Sequence, residues 1–391
     1  MKRLFSIVPP RLLLYLKGTY QSIQVKSILF LCKIKASSID NVALVRNKLL
    51  KRGVKWNKER PTKVIAVFSI NNWEKVLIEH LNSIGPVIHI CWPHINDFFD
   101  TSTEWLEKRK RINSHIQTEF EKHYESDKNI VVFFYTSDFI ISSDTLNSLK
   151  KSNVVMVSFC WDDLLYFKGN VRGQLVGVQQ MSREVDFNLT LSPEAIPRYN
   201  IAGSACFFWE GIPVPNASTE LLPKKDSHQG DNDFYVLFIG TRYGWRSDFI
   251  GGLKKKGINV KCYGKGWENG TISDDQMQDE IFKAPVVLGF ANVGYTKDIT
   301  TIKGRDFEVP AFGGLYLTQF SEGIKLVYQP DFEILCYRDF EECFQKICFV
   351  RDNFPQAASI RLAGYRKAIQ TATWSSRMLY LRKLIDIATA A

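Results

Sequence analysis

The chain has 391 residues, too many for one ordinary globular core and enough for two. With 45% hydrophobic, 13% aromatic and 24% charged residues it lies far from disordered compositions. Its net charge of +10 is uneven: residues 1–60 hold 14 Lys and Arg against Asp40 and Glu59, leaving 37 basic and 39 acidic residues for the rest. A neutral body argues against a nucleic-acid partner, because gripping a phosphate backbone needs cationic surface along the binding face.

The basic leader, 1–60, also contains Leu12, Leu13, Leu14, Tyr15, Leu16, Ile28, Leu29, Phe30 and Leu31. Two readings fit: a helix lying on an anionic membrane surface, or a basic helix packed on the first domain. No run approaches the roughly 18 uninterrupted apolar residues of a spanning helix. No small-residue cleavage site follows an apolar run either, so the expected location is cytoplasmic, peripheral to the inner face of the cell membrane on the first reading.

Beyond the leader, the run at 63–70 (KVIAVFSI) is continuously apolar, as a parallel strand buried on both faces requires. A helix is predicted from position 73 to 81. Further strands are predicted at 87–91, 130–135, 154–160 and 187–191, with a charged helix near 104–123. These form a first domain over 61–212. Pro213, Pro215 and Pro223, with Lys224, Lys225 and a Gly-Asp-Asn turn, mark a linker over 213–233. The pattern restarts in a second domain, 234–391, with strands at 234–239, 258–263, 286–290, 315–318 and 332–336. Helices at 340–353, 355–371 and 375–388 close it. Such alternation predicts an α/β protein of two doubly wound, Rossmann-like domains facing a cleft, with ligands at the carboxyl ends of the strands.

Cys91, Cys160, Cys206, Cys262 and Cys336 sit in or beside apolar runs, which favours reduced, buried thiols. Cys343 and Cys348 have no His or further Cys at zinc-ligand spacing nearby, so no metal is assigned. The histidines, His89 and His94 around a strand end and His80, His115 and His123 on helices, read as structural.

Three stretches carry candidate chemistry. In 236–246 (VLFIGTRYGWR) a strand ends at Gly240 and Thr241, and Arg242 and Arg246 flank a helix start. Its amides and two guanidiniums suit a diphosphate, although a strand-Gly-helix turn is common in α/β folds. In 303–315 (KGRDFEVPAFGGL) a short helix carries Arg305 and Glu308 and closes at Gly313 and Gly314. Glu308 can accept both hydroxyls of a ribose and Arg305 can face phosphates; the alternative is a plain surface Arg–Glu pair. In 159–163 (FCWDD), Asp162 and Asp163 follow a first-domain strand, either as a general base or as ordinary helix-start acids.

These residues, with Tyr263-Gly264-Lys265-Gly266-Trp267 and the run GRDFEVPAFGGLYLT, resemble CgeB-type bacterial glycosyltransferases, relatives of the group 1 transferases. The resemblance spans about 234–384. It is looser in the first domain, through Trp161-Asp162-Asp163 and VDFNLTLSPEAIPRYNIAG, and does not reach 1–60. It implies a GT-B architecture and metal-independent transfer of a sugar, without cofactor, from a nucleotide-diphosphate donor to a polysaccharide, lipid-linked or other glycoconjugate acceptor. It places Gly240, Thr241, Arg242, Arg246, Arg305, Glu308, Gly313 and Gly314 at the donor, and Ile272, in the loop 270–272, beside the base. Asp162, Asp163 and Arg305 become catalytic candidates. Group 1 members often carry a second glutamate eight residues before the ribose-binding one, where this chain has Thr300, so the anomeric outcome stays open. A sugar-nucleotide epimerase of the same fold and an inactive sugar or nucleotide binder are the competing readings.

Overall fold

The computed structural model describes residues 10–36, 39–70, 74–93, 102–161, 163–171, 174–209 and 234–390. The expected linker, Asp162 and His94 lie outside them. Contacts divide the chain into two compact units, one of Ile28–Trp209 with Trp374–Ala391 and one of Met1–Ser27 with Glu210–Thr373.

Two helices, α1 (Pro10–Ala36) and α2 (Asn41–Lys51), precede the first sheet. Then come β1 (Thr62–Val67), α3 (Glu74–Leu81), β2 (Val87–Ile90), α4 (Thr103–His123), β3 (Asn129–Phe134), α5 (Ser143–Ser148) and β4 (Val154–Cys160). The unit continues through α6 (Asp163–Tyr166), a hairpin of β5 (Lys168–Val171) and β6 (Gln174–Gly177), α7 (Gln179–Glu184), β7 (Phe187–Thr190), α8 (Ile196–Ile201) and β8 (Cys206–Phe208). Six strands form one parallel sheet in the order β2-β1-β3-β4-β7-β8. Strand β3 is buried along its whole length, which is why its sequence is an unbroken apolar run: helices cover both faces. The hairpin strands, KGNV and QLVG, carry no such run, and neither they nor β8, which lies in the short run 205–209, were expected from the sequence. Helix α2 is tied down by Arg52, whose guanidinium pairs with buried Asp186; that carboxylate also accepts the Met156 N–H at 2.7 Å.

The second sheet comprises β9 (Val236–Ile239), β10 (Val260–Tyr263), β11 (Val286–Leu288), β12 (Tyr316–Gln319) and β13 (Leu335–Tyr337), all parallel, in the order β10-β9-β11-β12-β13. Helices α9 (Arg246–Lys255), α10 (Asp274–Lys283) and α11 (Arg305–Ala311) connect its strands, and α12 (Phe340–Asp352), α13 (Phe354–Thr371) and α14 (Trp374–Thr389) follow. Interior strand β9 is buried throughout, whereas edge strand β10 alternates buried and half-buried residues. Val236, Phe238, Leu253, Cys262, Val286, Leu288, Leu317 and Ile347 share one core.

Two expectations about the chain ends need correction. Helix α14, read as closing the second domain, packs on α2 and α3 of the first unit; His80 stacks on Trp374 with centroids 5.2 Å apart, and Arg46 Nε donates to the Ile387 carbonyl at 3.0 Å. The first half of α1, expected on one reading to pack on the first domain, packs instead on the second-sheet unit. Ser22 donates to Asp298 at 2.5 Å, Lys26 pairs with the same carboxylate, and a Cβ on Gly18 would stand 2.5 Å from the Tyr295 carbonyl oxygen. Cys91 is exposed just past β2, unlike the buried Cys206, Cys262 and Cys336. Among the described residues no helix is long and apolar enough to cross a membrane.

Candidate functional site

A parallel sheet sends every strand-to-helix turn to the same edge. In the second unit this edge collects 240–245 after β9, 264–273 after β10 and 289–304 after β11, together with the first turns of α9, α10 and α11.

The turn after β9 is built on its neighbour. Gly240 N–H donates to the Tyr263 carbonyl and Arg242 N–H to the Lys265 carbonyl, both at 2.9 Å, while Trp267 Nε1 donates to the Gly240 carbonyl at 2.9 Å. Gly264 makes this approach feasible: its φ is +124°, and a Cβ there would collide with the Gly240 carbonyl. Trp267 thus forms a plate on which the Arg242 guanidinium lies, 5.2 Å from the ring centroid, with Arg242 and Thr241 open to solvent.

Arg246 differs from the expected partner of Arg242. Its guanidinium lies 4.1 Å from the Tyr243 ring centroid and within 5.9 Å of those of Phe238 and Phe290, and it donates to the Thr241 carbonyl at 3.2 Å. Burial among these rings holds its pKa below the ordinary value. It braces the turn from beneath, and its buried Nε has no hydrogen-bond partner among the described residues.

At the start of α11, Asp306 fixes the helix to the sheet. One carboxylate oxygen accepts the Lys303 N–H at 2.6 Å and the other the Thr318 hydroxyl at 3.1 Å. Complete burial pushes its pKa up to about 6. Held this way, α11 brings Arg305 and Glu308 together as an ion pair one turn apart, with side chains 33% and 23% exposed. Burial lowers the Arg305 pKa, and its Nε too has no hydrogen-bond partner among the described residues.

Arg246 and Arg305 each lie within electrostatic reach of the buried Tyr316 hydroxyl, and Arg305 also within reach of Asp274 in the first turn of α10. The arginine turn and the α11 start therefore lie along the same edge of one sheet. Ile272 is half-buried there, directly before Ser273, which caps α10 by accepting the Gln276 N–H at 3.2 Å.

The remaining sequence candidates fall elsewhere. Gly313 and Gly314 are buried at the start of β12, the opposite edge of the sheet from the turns. Gly313, with φ +74°, ends α11 and gives its carbonyl to Arg361; a Cβ on Gly314 would press on Ile281 and Val309. They fold the α11–β12 corner, away from the edge that carries the turns. Asp163 is fully buried in the first unit, where its carboxylate accepts the Tyr199 hydroxyl at 2.9 Å, so it faces no solvent. Trp267 and Asp306 had no assigned role. The aromatic behind Gly-x-Gly and the acid between Arg305 and Glu308 were their only traces, and neither reveals a direction of approach.

Residues 246–383 match the sequence model of a family described as "Glycosyl transferase-like". No curated protein aligns significantly with the chain. Among solved structures, HepE of Anabaena in complex with UDP and glucose superposes with a TM-score of 0.52 at 11% identity, over 83% of this chain and 99% of that one. Sucrose-phosphate synthase of Thermosynechococcus elongatus gives 0.53 at 13% identity over 84% and 98%. A glycosyltransferase of Rickettsia africae gives 0.53 at 10% over 85% and 100%. At such identities the likeness establishes the fold: parallel α/β sheets in two Rossmann-like units, as in GT-B glycosyltransferase structures.

Proposed function

We propose that the protein is a glycosyltransferase that takes a sugar from a nucleotide-diphosphate donor bound at the carboxyl edge of the second sheet. The observation that carries this reading is that one edge of one sheet bears both exposed Arg242, on its Trp267 plate, and the half-buried Arg305–Glu308 pair. Arg242 and Arg305 offer planar, fixed donors to the two phosphates, and Glu308 offers an acceptor-only group to the ribose hydroxyls. The family match over 246–383 covers both Arg305 and Glu308 and supports the assignment.

Cleavage of the bond between the sugar and the diphosphate leaves negative charge on the phosphate oxygens. Preorganised cationic donors stabilise that charge, each worth on the order of 3 kcal/mol of barrier. Transfer through these arginines alone is expected to persist in EDTA. We place the acceptor among glycans and lipid-linked glycoconjugates, and the chain peripherally at the inner face of the cell membrane.

A thermal-shift screen against UDP, GDP, TDP and CMP tests the donor site, since a ligand at a hundredfold its dissociation constant stabilises by about 2.7 kcal/mol. The complexes of HepE with UDP and UDP-glucose make UDP the first ligand to try. Silence across all four nucleotides would overturn the proposal. A sugar nucleotide rearranged without any acceptor would point to an epimerase instead.

A further inference from the structure

Helix α1 belongs to the leader and lies outside the stretch 246–383 that carries the family match, yet its first half is fastened to one loop of the second-sheet unit. Tyr295 N–H donates to Gln21 Oε1 at 3.2 Å, Ser22 donates to Asp298 at 2.5 Å, and Lys26 pairs with that carboxylate. The Lys17 ammonium sits 4.3 Å from the Tyr295 ring centroid, and Gly18 admits the Tyr295 carbonyl where a Cβ would stand 2.5 Å from its oxygen. From the sheet side, Trp245 Nε1 donates to the Thr296 carbonyl at 3.0 Å and Gln319 Nε2 to the Lys297 carbonyl at 2.8 Å. The loop is held from both sides, which gives the first half of α1 a fixed place on this unit.

Between α1 and the turn after β9 this arrangement leaves a cavity of about 890 Å³ within the same unit, the volume of a small-molecule site. Tyr15, Thr19 and Ser247 bring hydroxyls to its walls, Asp248 a carboxylate and Lys297 an ammonium. Mixed acceptors and donors of this kind suit a polyhydroxylated ligand. Of the residues assigned to the donor, Arg242 lines the cavity, whereas Arg305, Glu308 and Ile272 do not. The cavity therefore begins where the phosphate grip ends.

Resting on the transferase reading, we propose that this cavity receives the sugar that the donor carries beyond its phosphates, with α1 as the wall that reads the sugar's hydroxyls. With the ribose on Glu308 and the diphosphate on Arg305 and Arg242, the group left over is the glycosyl unit, and Arg242 is the residue that joins grip to cavity. Thr19 is committed as a donor to the Tyr15 carbonyl at 3.0 Å, so its oxygen faces a ligand as an acceptor, the role that the Asp248 carboxylate takes on the α9 side. Asp298, already shared by Ser22 and Lys26, fixes the shape of the wall.

The test is isothermal titration of UDP and of UDP-glucose into the full-length protein and its Thr19→Trp variant, in which an indole fills the cavity from α1. Thr19 is exposed, so the fold is expected to survive, and an unchanged melting temperature verifies that. The expected result is a UDP affinity that agrees within about twofold between the two proteins and a UDP-glucose affinity about tenfold lower in the variant. Gly18→Ala, which pushes α1 off the Tyr295 carbonyl, should give the same selective loss. Equal loss for both ligands, no loss for UDP-glucose, or an unaltered protein that binds UDP but not UDP-glucose would each overturn the proposal. Transfer abolished in Thr19→Trp with UDP-glucose affinity intact would also overturn it, by giving the cavity to the acceptor. An unaltered protein that binds neither ligand would instead defeat the donor reading, a separate failure.

Discussion

Asp306 offers a quantitative handle on the site's architecture. Its carboxyl is fully buried, and burial raises its pKa from an ordinary 3.8 to about 6. The folded protein thus binds this proton more tightly than the unfolded chain does. Stability from that difference is present below about pH 4 and is lost as pH rises through about 6. Above that pH the charged form costs the fold about 3 kcal/mol, at 1.36 kcal/mol per pH unit of displacement. Asn at this position mimics the neutral acid: its carbonyl oxygen can accept the Lys303 N–H while its amide donates to the Thr318 hydroxyl. Asp306→Asn should therefore resist urea better than the parent by about 3 kcal/mol at pH 7.5, with the advantage shrinking toward zero near pH 4. The assay is paired urea titrations across that range. A variant no more stable at pH 7.5, or an advantage that ignores pH, would refute the reasoning.

Other outcomes follow from packing. Gly264→Ala forces a Cβ into the Gly240 carbonyl at a positive φ and should destabilise the second-sheet unit by about 2 kcal/mol or more in urea titration while weakening UDP binding. Arg361→Ala strips the donor from the buried Gly313 and half-buried Phe282 carbonyls and should cost about 3 kcal/mol, read the same way, with UDP affinity retained in the protein that remains folded. Arg305→Ala and Glu308→Ala should each lower transfer by a hundredfold or more, about 3 kcal/mol, with an unchanged circular dichroism spectrum.

Much of this fold is written in the sequence because buried parallel strands must be continuously apolar. Runs such as 154–160 announce themselves, and the strand there spans Val154–Cys160. Strands β5 (KGNV) and β6 (QLVG) interrupt their apolar residues with polar ones and glycine and carry no such signal. The placement of α1 and α14 was illegible for another reason: their periodicity shows that each has a buried face but not what covers it, which depends on single contacts such as Gly18 against Tyr295. At the candidate site, residue chemistry and motif point to Arg242, Arg305 and Glu308. Arg246 could not be distinguished from Arg242, because whether a guanidinium turns outward or sinks among Tyr243, Phe238 and Phe290 is decided in three dimensions. The glycine pair 313–314 misled for a related reason. A helix seven residues long carries its two ends to opposite edges of the sheet, so neighbours in a motif need not share a ligand.

The central claim is that Arg242, Arg305 and Glu308 grip one nucleotide diphosphate. Isothermal titration of UDP into the unaltered protein, Arg242→Ala, Arg305→Ala and Glu308→Ala measures it directly. The prediction is a single site whose affinity drops about tenfold or more in each variant, as loss of a charge-assisted contact requires. Equal affinity in all four folded proteins, or no site in the first, would contradict it.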